Sequence, residues 1–176
     1  MINSITHLLG ILVLIAQIIV ILGDLLFLFS KKISQRKCYK YLSARGIKIA
    51  FLVALIATSG SLFFSQIAGF EPCSLCWFQR IFMYPQVFLL GLALIKKQDQ
   101  IIDYSLTLSG VGLLISLYHN YIFYSTIISP TCGLSKASCT QGYILELGYI
   151  TIPLMALTAF TAITGLLLLQ KNYNKQ

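Results

Sequence analysis

Glu71-Pro72-Cys73-Ser74-Leu75-Cys76-Trp77-Phe78-Gln79-Arg80 places two cysteines and an arginine at the joint between two long apolar runs. Proline disfavours helical geometry at the residue before it, so one run ends at Gly69-Phe70-Glu71-Pro72 and the next starts beside the cysteines. What surrounds this joint decides the fold class. The 176 residues are 57% apolar and only 10% charged, and a mean hydropathy of +0.83 does not suit a water-soluble globule.

Outward from the joint, long runs alternate with short polar connections. Ile47 to about Ala68 precedes it, and a run from around Cys76 or Trp77 to Ile95 follows. Lys96 to Asp103 is a charged turn, and Tyr104 to Ile128 is the next run. Ser129 to about Glu146 is a loop holding Cys132 and Cys139, and Leu147 to Leu169 is the last run. Upstream, Ile5 to Phe29 is interrupted only by His7, Gln17 and Asp24. It has no basic residue ahead of it, is too long for a signal h-region and is followed by no small-residue cleavage site, so it reads as a retained span. A helix needs about 20 residues to cross a hydrocarbon core of roughly 30 Å. The runs are continuous rather than alternating, which chooses helices over barrel strands. Five transmembrane helices are predicted.

The net charge of +8 is concentrated: seven of the thirteen basic residues lie between Lys31 and Lys48, with no acid among them. That is a cytoplasmic loop obeying the positive-inside rule, and no nucleic-acid partner is expected. Alternation puts Lys96, Lys97, Lys171 and Lys175 on the same side, eleven of thirteen in all, and leaves Arg80 and Lys136 opposite. The amino terminus and both paired-cysteine loops are therefore predicted outside the cytoplasm, and the carboxyl terminus inside. Cys38 falls in the basic loop, where thiols stay reduced, and is the unpaired fifth cysteine.

Two cysteine pairs on an oxidising face admit three readings: structural disulfides, a metal site or a redox relay. Staples chiefly help small domains that lack a core, whereas these loops are anchored by helices. Four-thiolate zinc sites usually sit in reducing compartments with a compact fold around them. The relay has a motive at each position. Cys76 lies at a helix start, where unpaired amides and the helix dipole stabilise a thiolate. Arg80 follows one turn later on the same face, or else snorkels to lipid phosphate.

Phe70 to Arg80, continued by Ile81-Phe82-Met83-Tyr84-Pro85, resembles the DsbB/BdbC family of disulfide bond formation protein B, the quinone-dependent membrane thiol oxidoreductases. Gly148-Tyr149-Ile150-Thr151-Ile152-Pro153-Leu154 is similar to the family's last span, and the resemblance covers roughly Ile47 to Leu169. It implies an all-α integral membrane protein: a four-helix transmembrane bundle plus one additional N-terminal transmembrane helix. Residues 1–46 would carry that helix and the basic loop, and 47–176 the catalytic domain and tail. It further implies a bound quinone, ubiquinone or menaquinone, in a bacterial cytoplasmic (inner) membrane. The partner would be a soluble extracytoplasmic thioredoxin-like oxidase, and no metal is required.

By matching position, Cys132 would form the mixed disulfide with the partner and Cys139 would pass the oxidising equivalent inward. Cys73 would receive attack from Cys139, Cys76 would be the quinone-facing sulfur and Arg80 would hold the quinone. His119, thirteen residues before Cys132, would bond or protonate a quinone oxygen, or is simply an interfacial histidine beside Asn120 and Tyr121. Only six residues separate Cys132 from Cys139, which is similar to the shorter BdbC-type loop. The competing readings are a vitamin K epoxide reductase-like oxidoreductase, whose loop cysteines precede its Cys-x-x-Cys, and a membrane assembly protein with structural disulfides.

Overall fold

Gly69 adopts φ 70°, the left-handed conformation that glycine takes without a Cβ penalty, and here the first helix of the bundle stops. That helix, α1 (Gly46–Leu62), runs into a π-helical turn at Phe63–Ile67. The Phe70 N–H then reaches back to the Phe64 carbonyl at 2.9 Å, satisfying an end that has no further turn to bond. The computed structural model describes residues 10–11, 13–20, 42–96, 100–125, 139 and 149–174, and no strand occurs among them.

Helix α2 spans Ser74–Lys96, α3 Gln100–Ser125 and α4 Ile152–Asn174. Together with α1 and its π-helical continuation these are four helices long and apolar enough to cross a membrane. Neighbours in sequence pack against each other, and α1 closes the ring by packing on α4. Residues 13–20 are also helical. The rest of the predicted first span, most of the basic loop with Cys38, and Cys132 lie outside the described residues.

Each boundary has a local cause. Helix α2 starts at Ser74, two or three residues earlier than predicted, because Cys73 takes the capping position. Helix α4 starts later than the predicted Leu147 because Thr151 caps it. The Leu154 N–H donates to Thr151 Oγ1 at 3.4 Å, and Pro153 occupies the first turn, where its missing N–H costs nothing. At the opposite end of the bundle Gln170 Oε1 accepts from the Ile47 N–H at 2.6 Å, so α4 satisfies an otherwise orphan donor at the start of α1. The Lys171–Asp103 ion pair, at 2.6 Å, joins α4 to α3 there.

The core is made where small residues face large ones. Ala50 and Ala54 of α1 are fully buried with Leu90, Phe160, Ile163 and Leu167. A Cβ on Gly112 would overlap the Phe160 ring, whereas one on Gly110 would meet nothing within 4 Å. Only one of the two glycines therefore lies at a helix interface. Beside it, α3 buries Ser105, Ser109, Ser116 and His119, a polar stripe turned into the bundle at helical spacing.

Candidate functional site

Cys73 immediately precedes α2, and its sulfur stands where a capping oxygen usually does. The Cys76 N–H donates to Cys73 Sγ at 3.3 Å, and the Trp77 N–H donates to the Cys73 carbonyl at 3.1 Å. One turn of helix brings Cys76 Sγ within 2.8 Å of Cys73 Sγ, and both cysteines are free thiols. The expectation that the helix start serves Cys76 is therefore shifted by three residues: the cap amide points at Cys73.

The second contact to Cys73 comes from across the bundle. His119 is 1% exposed, buried rather than interfacial, and its Nε2 lies 3.7 Å from Cys73 Sγ. Behind it, the Gln79 amide nitrogen is 3.3 Å from His119 Nδ1 and donates to Ser116 Oγ at 3.3 Å. An amide NH₂ only donates, so Nδ1 accepts and the ring proton sits on Nε2, facing the sulfur. The hydrogen bond from Cys76, followed by His119 and the Cys76 amide, outweighs burial and holds the Cys73 thiol far below the ordinary cysteine range, at about 4.

Cys139 is disulfide-bonded and 3% exposed. Its sulfur, Cys73 Sγ and a His119 ring nitrogen lie within 4.8 Å of one another. The structure thus brings together Cys73, Cys76, Cys139 and His119. These are ligand types a soft metal accepts, but Cys139 has its sulfur committed to a disulfide, which favours sulfur exchange over coordination.

Arg80 lies on the far side of Cys76. Its Nε donates to Ser61 Oγ at 3.0 Å and its Nη2 to the Ser61 carbonyl at 3.1 Å. The Tyr84 hydroxyl donates to the same Ser61 Oγ at 3.3 Å, and the guanidinium stands 5.2 Å from the Trp77 ring centroid. Ser61 is one residue before the end of α1, where α-helix gives way to the π-turn, and its carbonyl also accepts from the Ser65 hydroxyl at 3.2 Å. Arg80 is therefore anchored within the protein rather than snorkelled to lipid. Pro85, one residue after Tyr84, cannot donate to the Ile81 carbonyl and loosens α2 at this level.

Between α1, α2 and α4 lies a cavity of about 380 Å³, with Cys76, Arg80, Tyr84, Ser61 and His119 in its wall and otherwise mainly apolar side chains. Sequence reasoning did not single out Ser61, Tyr84 or Gln79. Gln79 carried a signal, since an amide three residues after Cys76 in an apolar run implies a buried partner.

A family model described as "Disulfide bond formation protein DsbB" matches residues 44–170. "Probable disulfide formation protein C 1" of Bacillus cereus (strain ATCC 10987 / NRS 248) is 48% identical over 117 residues, covering 65% of this chain and 83% of that protein. "Disulfide bond formation protein C" of Bacillus subtilis (strain 168) is 41% identical over 118 residues, again 65% of this chain and 83% of the relative. No solved structure matches.

Proposed function

The chain belongs to the DsbB family of disulfide bond formation proteins, a multi-pass membrane protein with four apolar helices among the described residues, and from that we propose that it is a membrane thiol:quinone oxidoreductase. It reoxidises a soluble thioredoxin-like dithiol oxidase on the extracytoplasmic face. The observation that carries this reading is the three-way approach of Cys73, Cys139 and His119 within 4.8 Å, beside a cavity that Cys76 and Arg80 line.

The cavity fits a quinone ring by the chemistry of its wall. It is of ligand size and mainly apolar, with the Arg80 guanidinium and the hydroxyls of Tyr84 and Ser61 among its polar groups. A bound quinone would supply a sink for two electrons and two protons. Arg80 would hold a ring oxygen and favour negative charge on it.

The protein's own sulfurs do the rest by in-line exchange. The partner's thiolate attacks the Cys132–Cys139 disulfide at Cys132 and releases Cys139. The Cys139 thiolate attacks the Cys73–Cys76 disulfide at Cys73 and releases Cys76 at the cavity wall. The partner's second thiol then frees Cys132, which recloses on Cys139 and expels Cys73. Here the lowered pKa of Cys73 matters, because a stabilised thiolate leaves faster. Re-formation of Cys73–Cys76 gives up the two electrons. His119, protonated on Nε2, faces Cys73 and stabilises its charge each time that sulfur is released.

The testing experiment is anaerobic mixing of the purified protein with a reduced thioredoxin-like dithiol and a water-soluble quinone. One quinol is expected per dithiol oxidised. Dithiol loss without quinol overturns the reading.

A further inference from the structure

Residues 13–20 precede the family-matched region, 44–170, yet they reach the cavity: Val13 and Ala16 are in its wall. Gln17, the next residue, uses both ends of its amide. Its Nε2 donates to Thr158 Oγ1 at 3.2 Å, and its Oε1 accepts from the Tyr149 hydroxyl at 3.2 Å. Tyr149 is itself fixed, since its carbonyl accepts from the Tyr124 hydroxyl at 2.8 Å. The opposite face of the segment presents Ile11, Ile15, Ile18 and Ile19, all about half exposed or more.

This arrangement sets the rotation of the segment. An unpaired amide in hydrocarbon is costly, so Gln17 must face α4, and the isoleucines then face outward. Helices α1 and α4 are bonded directly at the far end of the bundle, through Ile47 and Gln170. At the cysteine end the cavity lies between them, bounded by Gly60 and Ser61 of α1 and by Ile152 and Ala156 of α4. Val13 and Ala16 stand at that gap.

We propose that the segment 13–20 is a side wall of the quinone cavity, in which Val13 and Ala16 touch the ring or the first isoprenoid unit of its tail and Gln17 is the positioning residue that holds them there. This rests on the quinone reading of the cavity. Small apolar residues at this place leave room for a substituted ring, and a large side chain there fills the space a ring needs. The family core therefore does not complete the site in this chain, and residues upstream of it do.

The test is photolabelling of the full-length oxidised protein in proteoliposomes with an azidobenzoquinone. Cleavage within the basic stretch Lys31 to Lys48 then separates the N-terminal fragment. Label is expected on that fragment, suppressed several-fold by excess unlabelled quinone and by Ala16→Trp. Gln17→Leu is expected to lower the label and to raise the KM for quinone several-fold with a smaller effect on kcat, a split that general loss of fold does not produce. Should a variant fail to fold, the native chain decides alone. Competable label confined to the rest of the chain overturns the side-wall assignment and leaves the quinone cavity standing. No competable label anywhere overturns the quinone reading itself.

Discussion

His119 Nε2 faces Cys73 Sγ at 3.7 Å, with Gln79 behind the ring at 3.3 Å from Nδ1. The pair joins α3 to the start of α2 and gives the inner cysteines unequal surroundings. Cys73 has a donor on each side, from the Cys76 amide and from the imidazole. Both cysteines line the cavity, and Arg80 follows Cys76 one turn along α2.

The first prediction concerns acidity. In the reduced protein the thiolate ultraviolet absorbance assigned to Cys73 is expected to titrate at about pH 4 rather than at the ordinary 9.0. His119→Ala and Gln79→Leu should both move it upward, the second without touching the sulfur. Because the folded value lies below the unfolded one, the thiolate's contribution to stability is complete above pH 9.0 and is lost as pH falls to about 4. A midpoint near 9.0 in the native chain would contradict this.

Arg80→Ala tests the cavity. A hydrogen bond to a charged group contributes about 1.5–3 kcal/mol, so the KM for quinone is expected to rise by about one to two decades at 1.4 kcal/mol per decade. Mixed-disulfide formation with the dithiol partner should continue. Steady-state rates at limiting quinone decide, and an unchanged KM removes Arg80 from the site.

Gly112→Val tests the packing that sets the α3–α4 distance. The added side chain enters the space of the Phe160 ring, and overpacking of this kind costs about 1–3 kcal/mol. Thermal denaturation in detergent should show a clear fall in Tm. The same change at Gly110, which faces nothing within 4 Å, should leave Tm nearly unaltered.

Much of the site was legible in order along the chain. Cys73, Cys76 and Arg80 share one stretch, and helical spacing alone puts Arg80 a turn below Cys76. The cap assignment was not legible, because it turns on whether α2 starts at Ser74 or at Cys76, and Ser74 as the first helical residue makes Cys73 the cap. The Gln79–His119 link joins residues 40 apart in sequence, and only packing of α2 on α3 creates it. Ser61 looks like an ordinary small residue in an apolar run, and only the packing of α1 against α2 brings it to Arg80. Gln17 stood out as an interruption of the first run, but its partners Thr158 and Tyr149 lie at the other end of the chain.

The most direct measurement of the proposed asymmetry is disulfide mapping in Cys76→Ser, followed by anaerobic mixing with the reduced partner and a water-soluble quinone. The expected product is a Cys73–Cys139 disulfide, formed as the Cys73 thiolate attacks the Cys132–Cys139 disulfide at Cys139 and releases Cys132 as a thiol, with no quinol formed on mixing, because Cys139 meets Cys73 and only Cys76 hands electrons to the cavity. Normal quinol yield from Cys76→Ser, with no Cys73–Cys139 species on the mapped peptides, would contradict the account.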